Sequence, residues 1–351
     1  ELKRSGTNYM GRCPFHDDSS PSLSVSDSKK MWKCFGCGKG GDVVKFVSLY
    51  ENISYMEALE KLAIKYNLPI KLNTKEKDSE IYQVMRIVSE FYQSELIKNH
   101  QALSYLKYRE LNPKTIEEFE IGYSPNHYKL IDHLKKISDN YLNLYKSTQN
   151  LSITQNNMRD IFSNRIIFPI KDISSKIVGF GARAISKEET IKYLNSPDSE
   201  IFKKSKLLFG LDLALDYIKE SNEIILVEGY FDAIRLYQIG IRNVVAPLGT
   251  AFGIEHAKIL SRYAKRAYLF FDSDDAGKSA SLRTAKILIS QGITPLYMEY
   301  DEKDPDEFGL KYGKNGVLEL LSKATNYIDI SISSKNIDLS LDLVSNIQNP
   351  Q

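Results

Sequence analysis

Two short spacings near the start of the chain limit its folding more than anything else in it: Cys13-Pro14-Phe15-His16 and Cys34-Phe35-Gly36-Cys37. Each sets two metal-binding side chains two residues apart, so one tight turn delivers both to a single ion. All three cysteines fall within the pairs, and none is left for a disulfide. Three thiolates and one imidazole make a four-coordinate structural zinc set, Cys13, His16, Cys34 and Cys37, holding one ion per chain. Three buried thiols beside an unrelated histidine would explain the residue types, but not both two-residue gaps or the turn-forming Gly36 and Gly38. Reduced, metal-bound cysteine fits a cytoplasmic setting.

At 351 residues the chain is long enough for two or three domains. No apolar run approaches the roughly 18 residues needed to span a bilayer, which excludes a membrane helix, and no signal peptide opens the sequence. The first residue is Glu1 rather than Met, so an N-terminal piece is expected to be missing. The net charge of +2 is uninformative, but its distribution is not. Residues 159–210 carry ten Lys or Arg against six Asp or Glu, whereas residues 223–307 carry ten against thirteen. A basic stretch followed by an acidic one points to a polyanion beside a divalent-cation site; ordinary solvated faces are the competing account.

Gly40-Gly41-Asp42 leads into an apolar run from Val43, with Asp42 as helix cap. Ser54 and Glu57 have capping-box spacing before a second helix that ends near Leu68-Pro69. Residues 1–72 therefore form one small metal-bound unit. The charged stretch 73–80 lacks apolar anchors and reads as a linker. Residues 81–145 are expected to be mostly helical, with Asn112-Pro113 opening one helix. From Arg165 the pattern changes to extended runs, Ile166 to Ile170 and Ile177 to Gly181, paired around a polar turn. Beyond residue 221 the strands Ile224–Val227, Val244–Ala246, Ala267–Phe271 and Thr294–Met298 alternate with helices, which implies a parallel sheet. The Ser- and Asn-rich tail after about residue 330 is expected to fray.

The parallel strands end in carboxylates. Ile224 to Val227 runs into Glu228-Gly229 with Asp232 one turn on, and Leu269 to Phe271 runs into Asp272-Ser273-Asp274. Ligands of an open parallel sheet sit at the carboxyl ends of its strands, so these side chains converge on one rim. Alternation along extended chain puts Asp272 and Asp274 on one side, and Asp304-Pro305-Asp306 repeats the spacing. Such a cluster stays ionised only with a cation present, and Mg²⁺ is the natural occupant. Caps and turns account for any single aspartate here, and a solvated acidic loop competes for Asp304 and Asp306. Asp275-Ala276-Gly277-Lys278-Ser279 imitates the end of a phosphate loop, but its leading glycine is replaced by Asp272, so Lys278 is placed on the following helix.

Glu228-Gly229, Asp272-x-Asp274 and the strand–helix alternation resemble the Toprim domain of primases, type IA and type II topoisomerases and some nucleases. With Cys13-x-x-His16 and Cys34-x-x-Cys37, and with RIIFPI, GFGAR, KYLNSPD and IFKKSKLLFGL between them, nearly the whole chain resembles the DnaG-type bacterial primases. The resemblance implies an α+β multidomain chain: a zinc ribbon (1–72), a linker (73–80), a mixed α/β basic subdomain (81–220), a Toprim parallel sheet (221–305), and a helical C-terminal segment and tail (306–351). It implies that Arg165, Arg183, Lys192, Asn195 and Lys204 hold template or nucleotide phosphates, while Tyr193 packs or stacks on a base. Lys30, Trp32 and Lys33 would meet template bases. Ala182 replaces a usual second glycine and Phe209 a usual tyrosine.

The implied activity is synthesis of RNA primers on single-stranded DNA from ribonucleoside triphosphates through an RNA–DNA hybrid. Glu228, Asp272 and Asp274 would be catalytic, and with Asp232, Asp304 and Asp306 would hold two or more Mg²⁺, or Mn²⁺. Glu228 is equally open to a general-base role. The family's helicase contact lies in a C-terminal region that this chain is expected to lack. One alternative is a Toprim topoisomerase or nuclease; the 22 tyrosines exclude no nucleophile by type, but no gate-sized domain is left for one. The other is a non-catalytic zinc-ribbon nucleic-acid binder.

Overall fold

A computed structural model describes residues 2–51, 55–66, 76–154, 157–186, 188–327 and 329. Contacts divide the chain into two units, Glu1–Asn73 and Thr74–Gln351.

The first unit is an antiparallel meander of five strands in chain order: Lys3–Ser5, Asn8–Gly11, Leu23–Ser26, Met31–Cys34 and Gly40–Gly41. Along Met31–Cys34 the side chains alternate, with Trp32 and Cys34 buried and Met31 and Lys33 exposed, as a sheet with one covered face requires. The covered face is small: Cys13, Leu23, Trp32 and Cys34, with Phe15, Val25, Phe46 and Leu49 against them. Trp32 is part of this core. Its ring lies 5.1 Å from Phe15 and 5.3 Å from Phe46, and its Nε1–H donates to the Asp42 carbonyl at 2.9 Å, so packing takes up most of it. Helix Val43–Tyr50 starts at Asp42 as expected, the carboxylate accepting the Lys45 N–H at 2.7 Å. Helix Tyr55–Tyr66 follows, while the capping box expected at Ser54 falls outside the described residues.

The linker expected over 73–80 is shorter than the charge pattern implies, because helix Glu76–Lys98 begins inside it. Val84, Met85, Val88, Phe91 and Tyr92 anchor that helix in a core, and the helix extends back from them to Glu76. Residues 73–75 and the tail from 330 lie outside the described residues.

Two sheets organise the second unit. The first is antiparallel, in the order Tyr193–Asn195, Ile177–Ala184, Arg165–Lys171 and Gly122–Ser124. Its central strand is buried on both sides: Ile167 packs in the core beneath helix Glu76–Lys98, and Ile166, Phe168 and Ile170 in the core shared with the second sheet. The edge strand Gly122–Ser124 lies in a stretch read from sequence as mostly helical. It needs glycine, since a Cβ at Gly122 would lie 2.6 Å from the Tyr92 Cβ.

The second sheet runs Val244–Val245, Glu223–Leu226, Arg266–Leu269, Thr294–Tyr297 and Thr325–Asn326. The first four strands are parallel, as their alternation with helices indicates, and the last is antiparallel. From Glu223–Leu226 the chain crosses to Val244–Val245 on one side, then returns to Arg266–Leu269 on the other. This reversal opens a crevice beyond the ends of the two central strands. Helix Pro305–Ser322 completes the unit as the expected C-terminal helical segment.

Candidate active site and metal centre

Among the described residues, one group of three or more Cys, His, Asp or Glu side chains brings its ligand atoms within 4.8 Å of one another: Cys13, His16, Cys34 and Cys37. The Cys13 and Cys37 sulfurs are 3.9 Å apart and the Cys34 sulfur is 4.0 Å from His16 Nδ1. Tetrahedral zinc with bonds of about 2.3 Å to sulfur sets its ligands roughly 3.8 Å apart, so the group fits the ion. Gly36 makes room for the imidazole, as a Cβ there would meet His16 Nε2 at 2.8 Å. Asp18, not singled out in the sequence, supports the centre. Its carboxylate accepts from the Cys13 N–H at 2.7 Å and the Ser22 hydroxyl at 2.6 Å, and its other oxygen lies 3.7 Å from His16 Nε2. These hydrogen bonds hold the Asp18 pKa below the usual carboxylate value. A carboxylate behind a ligating histidine fixes the ring's orientation; its place two residues after His16 was the available signal.

The acids of the parallel sheet meet in the crevice. Glu228, Asp232, Asp272 and Asp304 line one cavity of about 370 Å³. Glu228 follows the first central strand and accepts the Asp272 N–H at 3.2 Å, which ties the two strand ends together. Asp232 is buried on helix Tyr230–Gln238 and accepts the Gly229 N–H at 2.9 Å and the Asp306 N–H at 3.2 Å. Burial, together with Asp304, Asp272 and Asp306, pushes its pKa up to about 8. Burial, with Asp272 beside it, raises that of Glu228, and burial with Asp304 and Asp274 raises that of Asp272. Carboxylates crowded in this way repel one another, Lys303 at 3.5 Å from Asp304 offsets part of that charge, and the group could hold a divalent cation. The set is more open than the zinc site, which suits Mg²⁺ shared between one or two carboxylates and a phosphate-bearing substrate.

The two-residue spacings do not survive as strand alternation. The chain bends after Asp272, where the Ser273 N–H donates to the Lys303 carbonyl at 3.1 Å, and Asp274 caps helix Asp275–Ser290 through the Gly277 N–H at 2.8 Å. Asp274 is exposed and does not line the cavity. Gly277 is there for packing: a Cβ would lie 2.1 Å from the Asp272 carbonyl oxygen. That resolves the phosphate-loop imitation, and Lys278 sits on the helix as expected. Asp304 caps the next helix and faces the cavity, whereas Asp306 lies between Arg109 and Arg235.

The antiparallel sheet supplies the opposite wall, with Arg183, Lys192, Tyr193 and Asn195. The Arg183 guanidinium lies 4.4 Å from the Tyr193 ring centre, a cation–π contact that ties the two side chains together. Asn195 joins the two sheets: its amide donates to the Leu248 carbonyl at 2.7 Å, and its oxygen accepts from Tyr230. Gly181 admits Tyr230, whose ring a Cβ would meet at 2.5 Å. Ala182 is buried, and Phe209 packs edge-on to Tyr230 at 4.7 Å. Two expected phosphate ligands lie elsewhere. Arg165 is buried and donates to the Ile191 carbonyl at 2.6 Å and Glu189 at 3.0 Å, which braces the KYLNSPD strand. Lys204 lies in the short turn Lys204–Lys206, outside the cavity lining. Arg109 and Lys303 line the cavity and were missed; each sits in a loop without periodicity to mark it.

A small zinc module followed by a parallel sheet whose strand-end acids face a basic antiparallel sheet defines a class: zinc-bearing proteins with a Toprim-type acidic centre. Family models agree segment by segment. Residues 1–78 match the CHC2 zinc finger, 91–215 the DNA primase catalytic core N-terminal domain, and 225–309 the Toprim-like domain. The DNA primase of Aquifex aeolicus is 44% identical over 341 residues, covering 96% of this chain and 68% of its own. That of Clostridium acetobutylicum is 39% identical over 350 residues, covering 97% and 58%. The crystal structure of the Aquifex aeolicus primase zinc-binding and RNA polymerase domains superposes with a TM-score of 0.73 at 42% identity, covering 99% of this chain and 88% of that one. A DnaG primase catalytic domain bound to ssDNA gives 0.69 at 28% identity, covering 78% and 92%. The chain belongs to the DnaG-type DNA primase family. It spans 68% and 58% of the two full-length relatives. No helix among the described residues is long and apolar enough to cross a membrane.

Proposed function

We propose that this chain synthesises RNA primers on a single-stranded DNA template, joining ribonucleotides by attack of a 3′-hydroxyl on the α-phosphorus of an incoming triphosphate, with pyrophosphate leaving. The observation that carries this reading is a single cavity in which Glu228, Asp232, Asp272 and Asp304 face Arg109, Arg183 and Lys192. A cavity that gathers both acids and bases suits a substrate that brings phosphate charge and a shared cation together. Bound there, two or more Mg²⁺, or Mn²⁺, would neutralise the reacting phosphate and lower the pKa of the attacking hydroxyl. The chain's own part is to hold the acids at the crevice and present guanidinium and ammonium groups to phosphate oxygens. Burial raises the Glu228 pKa, which fits a proton acceptor as well as a ligand; a pH–rate profile separates the two roles.

The basic wall would track the template and the RNA–DNA hybrid through phosphate contacts that weaken with salt. A helicase contact and a cytoplasmic place at the replication fork follow from the family resemblance and belong to the same proposal. The test is incorporation of labelled ribonucleotides on single-stranded DNA with Mg²⁺. Short RNA products support the reading. Strand cleavage without synthesis favours the nuclease alternative, and binding without either activity favours the non-catalytic one.

A further inference from the structure

Building on that proposed function, we infer that Arg235 is a positioning residue that sets Arg109 in the catalytic cavity, with Asp306 linking the two, so that Asp306 serves guanidinium groups rather than a metal ion. Arg235 lies on helix Tyr230–Gln238, which follows Glu228, and is 3% exposed. A charge buried to that degree persists only when its donors are matched. Its Nε donates to Asp306 Oδ1 at 2.8 Å, and its two terminal nitrogens donate to the carbonyls of Glu110 at 3.2 Å and Arg109 at 2.5 Å. Gly309, one turn after Asp306, leaves room for the arginine shaft: a Cβ there would meet Arg235 Cγ at 2.9 Å.

The two carbonyls that Arg235 grips belong to the turn after helix His100–Tyr108, where Glu110 takes a left-handed backbone with φ of 51°. Such a turn is costly for a residue with a side chain and is tied down here by a buried donor. The Arg109 side chain is gripped as well. It donates to Asp306 Oδ2 at 2.6 Å, and its guanidinium lies 4.2 Å from the Phe231 ring centre. Main chain and side chain of Arg109 are thus both fixed by helix Tyr230–Gln238, the helix that also carries Asp232 into the acidic centre. One cationic wall group and one acid share a single rigid support.

Asp306 has both carboxylate oxygens on guanidinium groups and its N–H on Asp232. Its neighbour Asp304 faces the cavity instead. The pair that looks equivalent in sequence is divided by the first turn of helix Pro305–Ser322: the cap turns to the site and the second helical residue turns to the arginines.

The test uses the whole chain and compares Arg235→Gln, Arg235→Lys, Asp306→Asn, Arg109→Gln and the Arg109→Gln/Arg235→Gln pair. Three readouts are needed: KM and kcat for ribonucleotide incorporation, equilibrium binding of a fluorescent ATP analogue, and Mn²⁺ half-saturation by paramagnetic resonance. The expected result is a KM and nucleotide Kd raised roughly tenfold in Arg235→Gln and Asp306→Asn, as for loss of one charge-assisted contact, with Mn²⁺ half-saturation unchanged. Arg235→Lys, which keeps the ion pair but not both carbonyl contacts, should recover part of the loss. The double variant should match Arg109→Gln alone. Additive losses in the pair, or a thermal shift in Arg235→Gln with KM and Kd unchanged, overturn the inference. So does a weakened Mn²⁺ half-saturation in Asp306→Asn with nucleotide binding intact. If Arg235→Gln fails to fold, the near-isosteric Asp306→Asn carries the same comparison. A wild-type chain that binds the nucleotide analogue in the cavity but makes no RNA overturns the functional reading and leaves the clamp to be judged on binding.

Discussion

The two metal-binding regions of this chain gather their ligands in opposite ways. The zinc ligands come from two tight turns within one short meander, and two of them, Cys13 and Cys34, are themselves half of the buried core. The acids come from three strand-to-helix junctions far apart in sequence and are brought together by the order of a sheet with large cores on both faces. A module that small depends on its ion to fold, whereas the larger unit holds its carboxylates against their mutual repulsion through its packed cores, backbone N–H donors and neighbouring cations. Zinc is therefore part of the first fold, and the acidic centre is a load borne by the second.

The largest effect tests the first half of that contrast. Stripping zinc, or replacing Cys34→Ser, should unfold the region before about residue 73 and leave the melting of the remainder unchanged, since structural zinc contributes on the order of 10–16 kcal/mol to such modules. Hydrogen exchange resolved along the chain checks it; protection retained in the metal-free module would break the comparison. Next, Asp272→Asn keeps size while removing charge, so it should lower ribonucleotide incorporation by at least about a hundredfold, or roughly 3 kcal/mol. The same substitution should leave the thermal melt equal or higher in the absence of divalent ions, because it relieves the repulsion with Asp304 and Asp274.

A smaller effect is expected behind the zinc ligands. Asp18→Asn should weaken zinc binding roughly 10- to 100-fold without unfolding the saturated protein, measured by competition with a chromogenic chelator. The smallest effect belongs to the larger unit. His256 is buried, its Nδ1 accepts the Gly253 N–H at 3.1 Å, and its Nε2–H donates to the Lys204 carbonyl at 2.9 Å. Burial holds its pKa below the usual histidine value. The unfolded chain takes up that proton below about pH 6.5 and the folded one only lower, so the stability is present above that pH and is lost as pH falls through the lowered value. His256→Gln should flatten this acid limb and cost about 1 kcal/mol at neutral pH. Melting temperatures between pH 8 and pH 5 decide it, and an unchanged acid limb in the variant would assign the dependence to other groups.

Local rules wrote much of this molecule legibly. The zinc set, the Asp42 and Asn112 caps and the four parallel strands each rest on neighbours in sequence, through turns, hydrogen bonds to nearby N–H groups, or the periodicity of burial. The acids could be placed at strand ends because the order of strands and helices fixes where the ends of a parallel sheet lie. What sequence could not carry was the direction of each side chain after the strand had ended. Asp304 and Asp306 look alike, yet one lines the cavity and the other lies between two arginines. Arg165 and Arg183 look alike, yet one braces a strand and the other faces the crevice. Arg109, Arg235 and the strand Gly122–Ser124 had no periodic signal, because their partners lie far away in sequence, 126 and 197 residues off for the arginines, or on another element's face. Sequence by itself therefore determined which chemical groups the chain carries and which ends of the sheet they reach. Only the tertiary structure decided which of them are free to meet a ligand, because a charge committed to a buried partner is indistinguishable in sequence from one left facing a cavity.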